Sequence, residues 1–600
     1  MAGAAANPIH GLASAAVLAL VSLSACGGGS SGGTGAAGGG GGVGGGGSST
    51  NRFSLSATIS GLNTSGLVLS VNGTSVAVNS GATSQVLAGS LASGTTYSVT
   101  VAAQPAGETC TATSNSGTMP ASNVTNVAIS CTPNTYTVGG SITGLDAGEL
   151  VLLDNGGDAT TVSANATSFT MHTGVVYGGN YAVTVQTNPT GLVCTVNNGS
   201  GTMGQADITN ISIGCLKNLR ILASLTGYPS SATNPYAALV QGSSGELYGT
   251  SEAGGSHDLG TAFVIYPSNG ALSLLHSFAG SLSDGASPYG DLVEDSAGQL
   301  YGTTEAGGNY QYCTKVKVCL SSYGTVFRIN ASSGAVTLLH SFRSNVSGGQ
   351  DGAHPYAGVM LASNGYLYGT TVAGGASGNG TVFRLGPDGG EAATLHSFAG
   401  GSSDGAEPYS KLIQASDGNL YGTTKLGGSA GAGTVFQINP AIGAESIVYA
   451  FKGGSSDGAS PYDALIQAKD GNFYGTTGAG GASAAGTVFR ISATSGAESV
   501  VYAFAGGGSD GANPYAGVIQ ASDGNLYGTT VSGGPSGDGT VFRINPTTGA
   551  ESLVYAFAGG STDGSQPYGG LLQAKDGNLY GTTLKGGSND AGVLFQITLQ

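Results

Sequence analysis

The tetrad Tyr-Gly-Thr-Thr, ending in Ser in its first copy, begins at 248, 301, 368, 421, 474, 527 and 580. The intervals are 53, 67, 53, 53, 53 and 53 residues, and Pro-Tyr keeps step from 235 to 567. Seven copies of one unit constrain the fold more than anything else in the chain. A repeat of this length is one supersecondary unit that buries its apolar face only against its neighbours. Each unit reads as four short strands. In one copy these are AGVIQAS, a turn at Asp523-Gly524, NLYGTT, a Gly-rich loop, GTVFRIN, a turn through Gly549, and ESLVYAFA. Alternation, β-branched and aromatic residues, and Gly/Asn/Asp punctuation all favour a meander. The expected fold is all-β, with residues 217–600 forming a seven-bladed β-propeller of four-stranded blades.

Two counts favour a closed ring over an open solenoid. The last copy stops at GVLFQITLQ and lacks a fourth strand, while Leu219–Leu225 at the start aligns with the missing piece. The N-terminal strand is therefore expected to complete the last blade beside 593–598, hiding both raw edges. Length agrees as well. Residues 217–600, less the 14 extra residues of copy two, number 370, against 371 for seven full units.

Composition excludes other classes. Charged residues make up 8% of the chain, far below the average for a soluble domain, so a charge-laced helical array is ruled out. Sixteen basic residues and a net charge of −16 give the wrong field for nucleic acid.

The N-terminal part reads as an address. Residues 1–25 resemble a lipoprotein-type signal peptide: an apolar stretch over 11–25 ends in Leu23-Ser24-Ala25-Cys26, similar to a bacterial lipobox with Cys26 as the lipidated residue. No Lys or Arg precedes Arg52, so the usual basic start is missing, and an ordinary signal peptide with an incidental Cys is the alternative. Residues 26–51 form a Gly/Ser-rich flexible linker with a reach of ~25–30 Å. The expected location is extracytoplasmic, lipid-anchored to the cell envelope. Gly27 after the Cys favours the outer membrane of a Gram-negative host. The anchor is the only membrane contact expected.

Residues 52–132 and 133–216 are two copies of a second unit. Cys110 and Cys131 recur 84 residues on as Cys194 and Cys215. Each copy shows about seven alternating segments, with hairpin signals at Asn72-Gly73 and Asn155-Gly156, and is expected to be a small Ig-like β-sandwich serving as a stalk. With Cys26 set aside, six Cys remain for an exported chain: Cys110 with Cys131, Cys194 with Cys215, and Cys313 with Cys319.

The motifs DGAxPY, QASDGNLYGTT and GTVFRIN resemble the choice-of-anchor tandem-repeat family called GloVer, over roughly residues 217–600 and most closely in copies four to seven. The resemblance implies a surface-exposed bacterial protein held by one of several anchor types, which suits Cys26. It implies no established activity, so no catalytic residue is carried over.

Several recurrent residues are candidates for a site. Asp284, Asp351, Asp404, Asp457, Asp510 and Asp563 lie in the inter-blade loop, with Ser231 in the first copy. They read either as a negative collar attracting cations or polyamines, or as acceptors within their own turns. Recurrence in every copy favours the turn. The seven Pro-Tyr tyrosines, Tyr236 through Tyr568, enter the innermost strand near the channel mouth, where a ring stacks on sugars or wedges between blades. Ser403, Ser456 and Ser509 sit in a formal G-x-S-x-G without the strand-to-helix turn or His partner that a nucleophile needs. His276, His340 and His396 share a position that later copies fill with Tyr449, Tyr502 and Tyr555, which argues packing. No metal motif and no cofactor motif is present.

Copy two carries an 11-residue insertion with Tyr310, Tyr312, Cys313, Lys315, Lys317 and Cys319, and three further residues within 343–350. Tyr310, Tyr312, Lys315 and Lys317 form the expected recognition loop, since function concentrates in such loops. The leading expectation is a surface-displayed binding protein, stalk plus propeller head, recognising a glycan or a protein. The alternatives are a propeller enzyme of lyase or hydrolase type at the channel mouth, and a purely structural envelope component. The unlike ionisable residues that an enzyme would need are Glu252, His257 and Asp258 in copy one, and Glu305 with Lys315 in copy two.

Overall fold

The computed structural model describes residues 51–599, apart from 147, 282, 309–311, 314–318, 321–322 and 344–350. Cys26, the linker, Tyr310, Lys315 and Lys317 lie outside the described residues. All described secondary structure is β-strand, and no described helix is long and apolar enough to cross a membrane. The chain divides into two compact units: one holds most of the first small module, and the other holds the second module with the seven-fold repeat.

Each small module contains two four-stranded sheets with the same strand order in both copies, and the second module adds a two-stranded ladder, Thr135–Tyr136 with Val175–Val176. In one sheet of each module, a strand near the start pairs in parallel with the last strand (Arg52–Ser60 with Val124–Pro133, and Val138–Thr143 with Ile208–Lys217). In the second module, Ile142 and Ile213 of one sheet pack against Leu152 and Val183 of the other in a single core. The Asn72-Gly73 signal becomes a two-residue hairpin, Val71 opposite Thr74, with both turn residues at positive φ. That backbone matches the twist of the flanking strands. Disulfides join Cys110 to Cys131 and Cys194 to Cys215. Such bonds belong to an oxidising, extracytoplasmic compartment. Cys313 and Cys319 face each other as backbone partners in a two-residue ladder.

Among the described residues, 217–599 hold seven four-stranded antiparallel sheets, numbered here in chain order by their second strand. The seventh is completed from the N-terminal side. Leu219–Ser224 pairs antiparallel with Val593–Ile597, Leu219 opposite Ile597 and Ser224 opposite Val593. The missing fourth strand is supplied from the segment where the repeat phase puts it.

The repeat motif has a physical reason residue by residue. In the tetrad strand Leu247–Ser251, Gly249 lies opposite Phe263 of the neighbouring strand. A Cβ at Gly249 would stand 2.5 Å from that ring, so Gly and the Phe of GTVF require each other. The first Thr of the tetrad reaches the next sheet: the Thr250 hydroxyl donates to the Gly290 carbonyl at 2.9 Å. Its neighbour stays at home, Ser251 bonding Thr261 across the ladder at 2.7 Å. The Pro of Pro-Tyr lies against the Gly that opens GTVF in the preceding sheet, where a Cβ at Gly260 would come 2.4 Å from Pro288 Cδ.

These inter-sheet contacts run in a cycle. Thr582 of sheet seven donates to the Ala237 carbonyl of sheet one at 3.2 Å. The core follows the same rule, with an apolar cluster between each pair of successive sheets. One cluster joins Leu594 and Tyr580 of sheet seven to Phe263 and Leu239 of sheet one. Each sheet thus uses both faces, and burial of its Phe, Tyr, Leu and Ile residues is the main stabilising term.

Candidate functional site

The six loop aspartates turn into their own turns. Asp457 accepts the Gly458 N–H at 2.7 Å, the Lys452 N–H at 2.8 Å and the Tyr449 hydroxyl at 2.9 Å. Asp510 and Asp563 repeat this pattern with Tyr502 and Tyr555. Asp284 and Asp404 take the imidazoles of His276 and His396 instead, at 3.1 and 3.3 Å, and Asp351 faces His340 at 3.4 Å. Asp351 also accepts the Gly352 and Arg343 N–H groups. Burial opposes ionisation of Asp284 and Asp404, but hydrogen bonds from the histidine and two backbone N–H groups outweigh it and hold both below the ordinary carboxylate range. The His/Tyr interchange therefore has a shared role: either side chain donates to the same carboxylate.

The seven Pro-Tyr tyrosines form a closed cycle of ring contacts. Tyr236, Tyr289, Tyr356, Tyr409, Tyr462, Tyr515 and Tyr568 each touch the next, and Tyr568 returns to Tyr236 at 5.0 Å. Three neighbouring pairs are stacked, 289 with 356, 409 with 462, and 515 with 568. Tyr236 is the odd ring, tilted or edge-on to both neighbours. Burial, with the charge or hydroxyl of close neighbours, pushes the phenols of Tyr289, Tyr356, Tyr462 and Tyr568 up, so they stay neutral donors.

Beside the cycle stands a rim built identically in all seven sheets. The residue before each Pro-Tyr has positive φ: Asn234, Ser287, His354, Glu407, Ser460, Asn513 and Gln566. Its carbonyl accepts the N–H of the residue after the tetrad, as in Glu252 to Asn234 and Lys425 to Glu407. Left-handed backbone is uncommon outside Gly, and a bulky residue held there marks a place worth attention. The backbone is seven-fold but the side chains are not. Charge gathers on one arc, at Glu252, Glu305, His354, Glu407 and Lys425, while Gly478, Val531 and Leu584 occupy the same position elsewhere. Glu252 accepts the Tyr289 hydroxyl at 2.7 Å. Glu305 lies 2.7 Å from His354 Nδ1, and that hydrogen bond raises the imidazole pKa against the effect of burial. The Lys425 ammonium lies over the faces of Tyr409 and Tyr462, at 5.1 and 5.5 Å.

The tyrosines also line a cavity of about 270 Å³, whose other walls are Leu239, Leu465, Val518, Leu571 and small residues of the inner strands. Three ionisable side chains enter it, Asp291, Lys411 and Asp463. Lys411 Nζ donates to Asp291 Oδ2 at 2.7 Å. Asp463 accepts the Ala464 and Gly517 N–H groups at 2.7 and 2.8 Å. Burial pushes the Asp463 carboxyl up, only partly offset by those two bonds. Sequence reasoning passed over this trio. Its signal is the pair of positions after Pro-Tyr, filled elsewhere by Gly, Ala or Ser and by charge in copies two, four and five alone.

With Lys315 outside the described residues, Glu252, His257 and Asp258 of copy one do not converge on a shared hydrogen-bond partner. His257 and Asp258 are exposed; Asp258 accepts the Gly254 N–H, and His257 contacts Ser256. Glu252 and Glu305 belong to the rim. Ser403, Ser456 and Ser509 are exposed in loops. The recognition-loop residue Tyr312 is described by its backbone alone, opposite Leu320. Next to the insertion, Tyr323 packs edge-on to His354.

The model of the Gloeobacter/Verrucomicrobia repeat matches residues 179–322, 312–521 and 507–600, well over half the chain. No curated protein matches. Among solved structures, the extracellular domain of a protein assigned as a hybrid two-component system from B. thetaiotaomicron is 11% identical, with a TM-score of 0.39. That match covers 62% of this chain and 39% of the other. An oligogalacturonate lyase in complex with manganese is 10% identical over 64% of this chain and 93% of its own, with a TM-score of 0.40. The oligogalacturonate lyase of Vibrio parahaemolyticus is 7% identical with the same coverages and a TM-score of 0.38. At these scores none carries an argument about activity.

Proposed function

The chain belongs to the Gloeobacter/Verrucomicrobia repeat family, and we propose that it is an extracytoplasmic binding protein whose head captures a glycan at the tyrosine-lined cavity. In this reading the head is a seven-bladed β-propeller, the two small modules are Ig-like stalk domains, and Cys26 carries the lipid that holds the chain to the envelope. The cyclic order of inter-sheet bonds, closing from Thr582 to Ala237, supports the propeller. The two disulfides support the compartment.

One observation carries the glycan reading: the repeat breaks its symmetry at the tyrosine-lined cavity. Aromatic faces, neutral phenol donors, an Asp–Lys pair and a half-buried carboxyl meet there, the mix that ring faces and hydroxyls of a sugar require. The cavity volume of about 270 Å³ lies just below the usual range for drug-sized ligands, roughly 300–1,000 Å³. It suits a single saccharide unit at a chain end. Titration of the full chain against an oligosaccharide panel tests the reading. Binding to at least one member is expected, with Lys411→Met lowering affinity at least 10-fold at unchanged secondary structure. Silence across the panel, or equal binding by the variant, refutes it.

A second reading, an enzyme in the same cavity, is favoured by Asp463 alone. A carboxyl raised by burial beside an Asp–Lys pair is the kind of unlike set that acid–base work uses. Cleavage of a bound saccharide by the parent chain, lost in Asp463→Asn while binding persists, distinguishes it from capture.

A further inference from the structure

Away from the tyrosine-lined cavity, sheets three and four meet along their outer strands, Ala393–Ser397 and Glu445–Ala450. His396, Asp404 and Glu445 converge there, one ligand atom from each lying within 4.8 Å of the others. We propose that this junction is a site for a divalent transition metal ion, Zn²⁺ being the probe, held by His396 Nε2, one Asp404 oxygen and the Glu445 carboxylate, with water completing the shell.

The donor set fits the chemistry. Neutral imidazole and carboxylates are zinc ligands, and tetrahedral sites with three protein ligands leave one position for water. His396 Nε2 is already 3.3 Å from Asp404 Oδ2, close to the spacing of two ligands on one ion. The supports are present too. The Gly405 N–H donates to Asp404 Oδ1 at 2.6 Å and fixes the carboxylate, and Phe398 packs edge-on to the imidazole at 4.7 Å. Outer contacts of this kind orient ligands. The third ligand lacks a partner, since Glu445 Oε1 is a buried atom with no hydrogen bond among the described residues. His396 and Glu445 each retain partial exposure, which leaves an entry path.

The repeat supplies its own controls. His276 and His340 make the same bond to an Asp, but the next sheet presents Val336 and Ala392 where sheet four presents Glu445. Glu498 and Glu551 recur in sheets five and six, but they face Tyr449 and Tyr502 pairs. An imidazole nitrogen, a loop Asp and a facing Glu coincide among the described residues at this one junction.

The test is equilibrium dialysis of the chelator-stripped full chain against Zn²⁺. One tightly held ion per chain is expected. His396→Tyr copies the residue that sheets four to six carry, keeps a donor for Asp404, and is expected to weaken that binding at least 100-fold. Glu445→Gln is expected to weaken it at least 10-fold, and Glu498→Gln not at all. The proposal is overturned if the parent chain takes up no Zn²⁺, if His396→Tyr retains it, or if Glu498→Gln loses as much as Glu445→Gln. Circular dichroism of each variant confirms that loss of metal is not loss of fold.

Discussion

Replacing Glu498 and Glu551 together with Gln should make this protein more stable in mild alkali and leave it unchanged in acid. Both carboxyls open an outer strand, and each has an Oε1 atom buried without a hydrogen bond. Burial, reinforced by the charge of Asp457 or Asp510 opposite, lifts both from 4.5 to about 7. The native state then holds protons that the unfolded chain releases. Stability is fully present below pH 4.5, falls between 4.5 and 7, and stays low above that. At about 1.36 kcal/mol per pH unit, the rise bounds the loss at roughly 3.4 kcal/mol for each residue. Both groups keep partial access to water, so screening reduces this to about 1–2 kcal/mol each. Gln mimics the protonated acid and removes the dependence. For a domain near 380 residues, unfolding entropy near 0.8 kcal/mol per degree converts the combined gain to roughly 3–5 °C in Tm at pH 8. Thermal unfolding of parent and double variant at pH 4.5 and pH 8 measures it. If the two proteins differ by the same amount at both pH values, the burial argument is wrong.

Three further outcomes test the fold. Gly528→Ala puts a methyl 2.5 Å from the Phe542 ring and should cost about 1–3 kcal/mol in chemical denaturation, while the same change at exposed Gly508, where the nearest atom is 3.9 Å away, costs less. Leu225→Ala empties a fully buried position where the N-terminal segment joins sheets seven and one, and should cost about 2–5 kcal/mol. Proteolysis of that variant should begin near the 219–224 strand, and cleavage starting elsewhere would count against its sealing role. Cys194→Ala with Cys215→Ala opens a loop of 21 residues and should lower the stability of the second small module by roughly 3 kcal/mol, leaving unfolding of the seven-sheet region unchanged.

Much of the architecture could be read from the residues because it rests on local, repeated chemistry. The Gly-Phe and Pro-Gly contacts recur seven times, so period and strand order stand out in one sequence. The phase of the repeat also indicates that Leu219–Ser224 pairs with Val593–Ile597, a contact across most of the domain. The site was far less legible. Asp291, Lys411 and Asp463 belong to different copies and look like isolated drift until the inner strands are brought around one axis. His396 and Glu445 are 49 residues apart in the chain and meet only because outer strands of successive sheets pack side by side. For the loop aspartates, the residues left two directions open, and hydrogen bonds to their own turns decided between them.

By itself the sequence determined the period, the strands, the paired cysteines of the small modules and the place of the borrowed strand. Each of these follows from spacing along the chain and from which side chains fit opposite one another. Only the tertiary structure decided which departures from the repeat matter. A cycle of sheets gives every copy the same position relative to the centre and to its neighbour, so single unlike residues from distant copies add up at one point. Convergence of that kind is a property of the closed arrangement, and no window of sequence contains it.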